Sequence, residues 1–369
     1  MPVHGGRRAP RGLSLREASE ATILDGRIRT FQTQQAAVNK LIIQIPCLNE
    51  AESLPGTLRD LPRHIEGIDT IEVLVIDDGS RDETAAVARR LGVHHVIRFR
   101  RHKGLAAAFV AGIDASLKLG ADFIVNTDAD NQYAGSSIPA LLEPLLAGRA
   151  DVVIGDRDIV SLRHMSASKK FLQRFGSWVV RQVSNTQVPD TTSGFRAYTR
   201  EAALRMSIVS DYSYTLESII QAGKRRMAIA HVPIQSNPKT RPSRLFDSML
   251  SYIKNSGATI VRVYAMYEPL KVFTYIGLAV FAAGTALSVR FMYYYLLGDG
   301  AGHIQSVILS AVLLIVGFQV ILIGLLADVI SGNRKLIEDV LYRIRLMELD
   351  RPGAGPEQEA RADRLSEHQ

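Results

Sequence analysis

Two long apolar runs near the end of the chain constrain its fold most strongly. Residues 272–297 and 304–331 are largely apolar, and each is long enough to cross the hydrocarbon core of a bilayer as a helix. The first run contains one charged residue, Arg290, close to its end, where the guanidinium can reach the interface. The pattern predicts a two-helix transmembrane hairpin, and a buried hairpin of a soluble protein is the alternative.

The charges around these runs predict their orientation. The connecting loop, GDGAGH, carries no Lys or Arg, whereas the outer flanks carry six of the basic residues. Basic flanks stay on the cytoplasmic side, so we expect an integral protein of the cell membrane with the preceding domain and both termini in the cytoplasm. The basic flanking residues are Arg262, Lys271, Arg334, Lys335, Arg343 and Arg345.

The segment from Lys40 to about Pro233 alternates short apolar runs with stretches of helical spacing. Such alternation predicts an α/β fold, Rossmann-like, with a mostly parallel sheet covered on both faces. Functional sites in such sheets gather beyond the carboxyl ends of the strands. The predicted strands are 41–46, 71–77, 93–97, 122–127 and 151–155, and the predicted helices lie within 50–61, 82–91, 104–119 and 136–147.

The net charge indicates the partners of the protein, and the sequence pattern predicts its domain boundaries. The formal net charge of +7 fits an anionic membrane surface or a phosphorylated substrate beside these membrane segments, so nucleic acid is not an expected partner. The domains predicted are a basic tail (1–38), the α/β catalytic domain (39–240), an amphipathic juxtamembrane helix (241–268), the hairpin (269–332) and a cytoplasmic amphipathic or disordered tail (333–369).

Acidic residues follow the predicted strands. Asp128 and Asp130 come directly after the fourth strand, and Gln132 adds a neutral oxygen at the next alternate position. Two carboxylates in this arrangement can meet one hard divalent cation, Mg²⁺ or Mn²⁺. Taken alone, an Asp-x-Asp pair is better explained by a capped turn. The second strand likewise ends in the acids Asp77 and Asp78, which could read a nucleoside or serve only as turn residues.

Several motifs together carry a family resemblance. From about residue 40 to 245, the chain resembles the inverting glycosyltransferases of family 2 with the GT-A fold, specifically the polyisoprenyl-phosphate branch. That branch includes dolichyl-phosphate mannose synthases and bacterial lipid-phosphate glucosyltransferases. The motifs are IPCLNE (45–50), VIDDGSRDET (76–84), HKGLAAAFVAG (102–112), TDADNQ (127–132), GDR (155–157) and DTTSGFRAY (190–198).

The resemblance implies roles for individual residues. Asp128, Asp130 and Gln132 would bind the metal and the diphosphate. Arg157 and Arg196 would receive the acceptor phosphate, because a guanidinium forms two parallel bonds to such a group. The donor would be bound by Pro46, Asn49, Glu50, Asp77, Asp78, Lys103, Gly104 and Asp128, and further acceptor-phosphate contacts would come from Lys169, Lys170, Arg174, Ser193, Ser243 and Arg244.

Two departures from the family pattern bear on the acceptor site. Gly155-Asp156-Arg157 stands where Gly-Ser-Arg is common, which brings an acid near the expected anion site. Arg241-Pro242-Ser243-Arg244 replaces an Arg-x-Gly-x-Ser-Lys-like sequence, so Ser243 and Arg244 either face phosphate or form a solvated loop.

The predicted reaction is inverting transfer of a hexose from a nucleotide sugar, UDP-glucose or GDP-mannose, to a polyisoprenyl phosphate at the cytoplasmic face. A lipid monophosphate is mostly ionised at neutral pH, so no obligatory base is expected, with Asp190 and then Asp156 as outside candidates. Two alternatives stay open. One is a hydroxyl acceptor on a glycolipid or polysaccharide, and the other is a catalytically silent nucleotide-binding scaffold, which retention of Asp128 and Asp130 disfavours. A homo-oligomer also stays open.

Overall fold

The computed structural model describes residues 38–157, 177–178, 180–181, 184, 186–208, 214–235, 237, 262, 265, 267–298 and 304–349. The predicted basic tail therefore lies almost wholly outside the described residues. The same holds for the predicted juxtamembrane helix, apart from its last residues, and for positions 350–369.

The catalytic domain is built on a seven-stranded sheet with the order β3-β2-β1-β4-β6-β5-β7. Strand β6 is antiparallel to its neighbours β4 and β5, and the other pairs are parallel. The predicted mostly parallel α/β sheet is confirmed. The strands are β1 Lys40–Cys47, β2 Thr70–Asp77, β3 His95–Arg98, β4 Phe123–Asn126, β5 Val152–Asp156, β6 Arg196–Thr199 and β7 Ile229–Pro233.

Helices cover both faces of the sheet. On one face Phe109 stacks on Tyr214 with ring centroids 3.9 Å apart, in a core cluster that also contains Ile42 and Leu74. The opposite face buries Leu41 and other alternate strand residues in a second cluster, as the two-residue period of a strand requires. The helices are α1 Leu54–Asp60, α2 Thr84–Arg90, α3 Leu105–Lys118, α4 Ile138–Leu146, α5 Arg200–Arg205 and α6 Tyr214–Lys224.

The predicted helices are confirmed, but they are shorter than their helical spacing suggested. The helix predicted within 82–91 begins only at Thr84. Asp82 belongs to the preceding loop, because its carboxylate accepts the Thr84 N–H at 3.1 Å and the Ala51 N–H at 3.1 Å. Apolar spacing cannot reveal such side-chain to backbone bonds.

Two long helices follow the sheet domain: α7, Pro269–Leu296, and α8, Ile304–Leu349. Both are long and apolar enough to cross a membrane. Their outer faces leave large apolar side chains exposed, with Leu326 at 65% and Ile330 at 69%. This exposure disfavours the buried hairpin of a soluble protein, because such a hairpin would bury these side chains.

Glycines let the two long helices approach closely. A Cβ added at Gly317 of α8 would lie 2.7 Å from the Phe281 backbone nitrogen of α7. A Cβ added at Gly277 of α7 would lie 2.7 Å from the Gly317 carbonyl oxygen. Close backbone packing through small residues is the usual way in which helices associate in a membrane.

Helix α8 runs well beyond the predicted membrane span. A separate tail was expected from 333, whereas residues up to Leu349 continue the same 46-residue helix. At 1.5 Å per residue, this helix is about 69 Å long, which is roughly twice the thickness of a hydrocarbon core. The additional length packs Tyr342 and Leu346 against the sheet domain, and this packing keeps the segment helical outside the membrane.

Candidate active site at the carboxyl edge of the sheet

The loop after β4 carries the predicted metal ligands in a fixed conformation. The Gln132 N–H donates to Asp130 Oδ1 at 3.1 Å, and Asn131 adopts the left-handed backbone region with φ 54°. From the segment after β7, Asn237 Nδ2 donates to the Asn131 carbonyl at 3.0 Å. Its backbone N–H donates to the Gln132 carbonyl at 2.9 Å. The loop is therefore held by a bond within it and by two bonds from Asn237. Asp128, Asp130 and Gln132 lie within this one turn.

Asp128 rests against a glycine from a distant part of the chain. A Cβ added at Gly194 would lie 3.1 Å from Asp128 Oδ1, 3.2 Å from Oδ2 and 3.0 Å from the Tyr214 hydroxyl. These distances are shorter than a carbon normally keeps from a polar atom. The carboxylate therefore occupies space that exists because residue 194 has no side chain.

Hydrogen bonds to both of its peptide groups hold Gly194 in place. The Gly194 N–H donates to the Tyr133 hydroxyl at 3.1 Å. The Gly194 carbonyl accepts from Asn126 Nδ2 at 2.8 Å and from the Tyr214 hydroxyl at 3.3 Å. Gln44 extends this buried group, because its Nε2 donates to Asn126 Oδ1 at 2.8 Å. Asp128 is thus backed by a hydrogen-bonded group of buried residues, which we call the wall around Gly194: Gly194, Tyr133, Asn126, Tyr214 and Gln44.

The Asp128 carboxyl has an unusual proton affinity. Burial, and then repulsion from Asp130, raises its pKa to about 7, and the nearby Arg157 guanidinium opposes the increase. Because the carboxylates of Asp128 and Asp130 repel each other, a bound cation would stabilise their charged forms. The carboxylate oxygens of Asp128 and Asp130 are therefore suitable ligands for a divalent metal.

The protein ligands for such a metal are few. Among the described residues, no group of three or more His, Cys, Asp or Glu side chains is placed to hold a metal ion. Asp128 and Asp130 can offer two carboxylates and Gln132 an amide oxygen, which leaves the other positions to water and to a ligand. Mg²⁺ is commonly held in this way, by one or two carboxylates with waters and substrate phosphates.

The turn after β2 is tied to the start of α3 through Asp78. Its Oδ1 accepts the Lys103 N–H at 2.7 Å and its Oδ2 accepts the Gly104 N–H at 2.9 Å. His102 Nδ1 lies 2.8 Å from the same Oδ2. The backbone N–H groups of Lys103 and Gly104, both predicted to bind the donor, are therefore bound to Asp78. The Lys103 ammonium lies over the Phe99 ring, 4.9 Å from its centroid.

Asp77 points into the protein rather than towards the cleft. It is fully buried, its Oδ1 accepts the Ser80 N–H at 2.9 Å, and Arg98 Nε lies 3.2 Å from its Oδ2. Asp77 therefore braces the turn, and the geometry does not support the donor contact predicted for it.

The turn after β1 lies at the same edge. Asn49 has φ 55°, and its Oδ1 accepts the Arg81 N–H at 2.8 Å. The Glu50 N–H donates to Thr84 Oγ1 at 2.9 Å. Pro46 is buried in β1, in register with Ile76. The structure thus brings the carboxyl ends of β1, β2 and β4 together at the edge where the sequence placed them.

Arg157, just after β5, forms the basic side of the site. Its Nε donates to Asp190 Oδ2 at 2.7 Å. Its Nη2 donates to Asp190 Oδ1 at 3.1 Å and to Thr192 Oγ1 at 2.9 Å. Nη1 makes no hydrogen bond to any described residue, and the side chain keeps 21% of its surface exposed. Asp190 therefore orients a guanidinium that retains free donors.

The same contacts exclude Asp190 as a free base. Burial alone would raise the pKa of this carboxyl, but the Arg157 guanidinium and the hydrogen bonds from Thr192 outweigh burial and hold the pKa below its ordinary value. The candidacy of Asp190 as a base is not supported, because the carboxylate is fully buried and both oxygens are bound.

Arg196 lies inside the protein and is 0% exposed. Its guanidinium donates to the carbonyls of Ser193 at 2.7 Å, Thr215 at 2.8 Å and Thr191 at 3.0 Å. Ser193 is also fully buried. The acceptor-phosphate roles predicted for these two residues are not supported, because Arg196 fastens the 191–196 loop to α6. The remaining residues predicted at this site, Lys169, Lys170, Arg174, Ser243 and Arg244, lie outside the described residues.

Reasoning from the sequence missed the supporting residues. Thr192 and Gly194 belong to the DTTSGF motif, and Tyr133 directly follows TDADNQ. Their proximity to known motifs was the available signal. The contacts from Asn126 and Tyr214 carry no such signal, because they join positions 68 and 20 residues from Gly194.

Two family models match this chain. Residues 42–206 match the glycosyl transferase family 2 model, and residues 268–332 match the GtrB C-terminal hairpin. Glycosyltransferase AglJ of Haloferax volcanii is 29% identical over 78% of this chain and 92% of its own. Undecaprenyl-phosphate mannosyltransferase of Micrococcus luteus is 30% identical over 53% of this chain and 82% of its own.

Glucosyl-3-phosphoglycerate synthase from Mycobacterium tuberculosis, in complex with Mn²⁺, UDP-glucose and phosphoglyceric acid, has a TM-score of 0.49 at 19% identity. The alignment covers 62% of this chain and 79% of that one. Similarity at this level adds nothing to the conclusions from the sequence families.

The mixed sheet, its acidic edge and the apolar hairpin define a membrane-bound enzyme with the GT-A fold. The chain belongs to glycosyl transferase family 2, in the branch that carries the C-terminal hairpin. It is a glycosyltransferase and a membrane protein.

Proposed function

We propose that this enzyme transfers a hexose from a nucleotide sugar to a polyisoprenyl phosphate, with inversion at the anomeric carbon. The observation that carries the proposal is the position of Arg157. Its guanidinium is oriented by Asp190, and its Nη1 makes no hydrogen bond to any described residue. It lies close enough to Asp128 for its charge to lower the pKa of that carboxyl. An anionic acceptor can therefore bind beside the acidic side of the site, where the donor would be held.

Two further observations support a lipid phosphate over a hydroxyl acceptor. A hydroxyl nucleophile needs a base. The nearby carboxylate of Asp190 is already bound by Arg157, and we place Asp128 at the cation. The relative from Micrococcus luteus is named for undecaprenyl phosphate. A phosphate monoester is largely ionised at neutral pH, so it can attack without losing a proton to the protein.

In the proposed mechanism, the protein mainly positions two anionic groups. Arg157 holds the acceptor phosphate, Asp190 and Thr192 fix the guanidinium, and the wall around Gly194 fixes Asp128. The turn residues Asn49, Glu50 and Asp78 line the edge at which we place the nucleoside. Correct positioning of two reactants can supply about 7–11 kcal/mol of the lowering of a barrier.

We place a divalent cation, Mg²⁺ or Mn²⁺, at Asp128 and Asp130, with Gln132 as a possible third contact. Such an ion would neutralise charge on the leaving diphosphate. Burial and then repulsion from Asp130 raise the pKa of Asp128, and this raised pKa supports the assignment. We further place the enzyme in the cell membrane with the catalytic domain in the cytoplasm, as the basic flanks of the hairpin predict.

The test is a transfer assay with purified protein in bilayers. Radiolabelled UDP-glucose and GDP-mannose are each offered with polyprenyl phosphate, or with polyprenol as the hydroxyl counterpart, together with Mg²⁺ or Mn²⁺. We expect one donor to label the organic phase with polyprenyl phosphate alone. Labelling of polyprenol, or no labelling of either lipid, would overturn the proposal.

A matched pair of variants tests the role of Arg157. Arg157→Gln should raise KM for polyprenyl phosphate by about tenfold to a hundredfold, because a hydrogen bond to a charged group contributes about 1.5–3 kcal/mol, while KM for the donor stays the same. Arg149→Gln is the control, because Arg149 is exposed and pairs with Glu143 on the surface. Equal changes in both KM values for Arg157→Gln would contradict the assignment.

A further inference from the structure

The part of α8 beyond the membrane span is fastened to the catalytic domain. Arg334 Nε donates to Glu338 Oε1 within the helix at 2.8 Å. From the end of α6, Arg225 Nη2 donates to Glu338 Oε2 at 2.6 Å. Glu338 is 8% exposed. One buried carboxylate thus joins a residue of the membrane helix to a residue of the catalytic domain, and we call these three residues the Glu338 clamp.

Contacts beside the clamp join the other membrane helix to the same place. Arg334 Nη2 donates to the Tyr267 hydroxyl at 3.1 Å, two residues before α7 begins. Tyr267 also accepts from Gln221 Nε2 of α6 at 3.0 Å. Lys224 Nζ lies 2.5 Å from Glu268 Oε1. Both membrane helices are therefore held against the C-terminal part of α6.

Further along α8, the contacts continue on the same face of the helix. The Tyr342 hydroxyl donates to Glu201 of α5 at 3.0 Å. Arg345 Nη1 donates to the Leu204 and Met206 carbonyls at 3.1 and 2.6 Å, and its Nη2 lies 3.1 Å from Asp114 of α3. Fastened at several points, α8 cannot pivot freely against the domain.

Helix α6 connects this junction to the active site. At its start, the Tyr214 hydroxyl donates to the Gly194 carbonyl, and the Thr215 carbonyl accepts from Arg196. At its end lie Lys224 and Arg225, at the membrane helices. An 11-residue helix spans about 16 Å. The same rigid element therefore touches the wall behind Asp128 and the base of the membrane hairpin.

We infer that the Glu338 clamp positions the active site relative to a membrane-anchored acceptor. The clamp sets the height and tilt of the catalytic domain above the bilayer. The inference rests on the proposed lipid-phosphate function. An acceptor anchored in the membrane has its phosphate at a fixed depth, so the domain must be held where Arg157 can reach it. A soluble acceptor carries no such constraint. Glu338 acts through the orientation of the domain and touches no substrate.

The experiment compares two acceptors that differ in their anchoring. Wild-type enzyme and Glu338→Gln are reconstituted in vesicles and assayed with long-chain polyprenyl phosphate in the bilayer, and with geranyl phosphate dissolved in the aqueous phase. We expect Glu338→Gln to lower kcat/KM for the bilayer acceptor by about tenfold to a hundredfold, as small misplacements can. With geranyl phosphate, we expect a change of less than about twofold, because positioning within the domain is intact.

Two further variants complete the test. Glu348→Gln is the matched control, the same substitution at an exposed position of the same helix, and should leave both activities unchanged. If Glu338→Gln does not fold, Arg225→Gln breaks the contact from the domain side and leaves Glu338 paired with Arg334. It should lower the bilayer activity selectively.

The outcomes separate the two proposals. Equal losses with both acceptors, or no loss with either, would overturn the positioning role and leave the proposed function standing. A wild-type enzyme that transfers sugar to neither phosphate would overturn the proposed function itself.

Discussion

Two carboxyl groups beside the same site, the buried Asp190 and the half-buried Asp128, differ in the charges around them. Asp190, in the loop before β6, has Arg157 and Thr192 as partners, and its pKa lies below the ordinary value. Asp128, in the loop after β4, faces Asp130, and its pKa rises to about 7. Burial raises both pKa values, so the difference comes from the neighbouring charge.

This contrast separates a carboxylate that positions from one that is prepared for a ligand. Asp190 has its charge balanced by the protein and directs the guanidinium of Arg157. Asp128 retains an unbalanced charge at the open edge of the sheet, which a cation would stabilise.

Removing a carboxylate from the acidic side should have the largest effect. We expect Asp130→Asn to lower transfer by more than about 100-fold, because even groups that only support a metal ligand cost 10–100-fold when they are lost. Folding and membrane insertion should persist. Transfer is measured as label in the organic phase over a range of Mg²⁺ and Mn²⁺ concentrations, with the exposed Asp339→Asn as control. Full activity of Asp130→Asn at an unchanged metal requirement would remove the metal assignment.

Removing the positioning carboxylate should affect the acceptor selectively. In Asp190→Asn, Arg157 loses a charged partner at 2.7 Å, so we expect KM for polyprenyl phosphate to rise by about tenfold or more. The apparent affinity for the metal should not change. If instead the metal dependence shifts and the acceptor KM does not, the division of roles between the two carboxylates is wrong.

Filling the space behind Asp128 should have a smaller effect. In Gly194→Ala, the new methyl group would lie 3.1 and 3.2 Å from the carboxylate oxygens and must push them forward by a few tenths of an ångström. We expect kcat to fall by about tenfold, since small displacements at a reacting centre are costly. Gly332→Ala is the control, because a Cβ added at this exposed glycine of α8 would meet no other atom within 4 Å. Unchanged kcat in Gly194→Ala would show that Asp128 does not need this wall.

The pH dependence of stability should show the contrast directly. Asp128 has a folded pKa near 7, above about 3.9 in the unfolded chain, so the folded state binds the extra proton between about pH 4 and 7. Stability should therefore decrease as the pH rises through that window. For Asp190 the sign is opposite: its stabilisation is present above about pH 4 and is lost as the pH falls.

Melting temperatures of the metal-free protein in detergent measure this effect. Between pH 4 and 7, the wild type should lose of order 2 kcal/mol relative to Asp128→Asn, allowing for the solvent that reaches the side chain. That corresponds to roughly 5 °C. Saturating Mg²⁺ should reduce the difference. Parallel curves for the two proteins would show that Asp128 has an ordinary pKa.

Much of the fold was predictable because its signals are local. The apolar runs predicted α7 and the membrane part of α8, and alternation of strands and helices predicted the parallel part of the sheet. The antiparallel strand β6 was not predicted, because its pairing with β4 joins positions such as Phe123 and Thr199 that share no local pattern. The continuation of α8 to Leu349 was also missed, since the helix depends there on packing against the domain.

The site divides in a similar way. Motifs predicted which chain segments meet at the carboxyl edge, because parallel strands bring their ends together. They could not distinguish Arg157 from Arg196, which are both arginines in family motifs. Arg157 is 21% exposed, and its Nη1 makes no hydrogen bond within the described part of the chain. Arg196 lies in the interior and donates to backbone carbonyls.

The sequence alone determined the class of fold, the membrane hairpin and the acidic character of the site, because hydrophobic periodicity and residue chemistry are properties of short segments. Only the tertiary structure decided which charges are balanced. The free energy of a buried charge depends on the few ångströms around it, and those neighbours arrive from distant parts of the chain. Asp128 and Asp190 are the same amino acid, and the fold gives them opposite proton affinities.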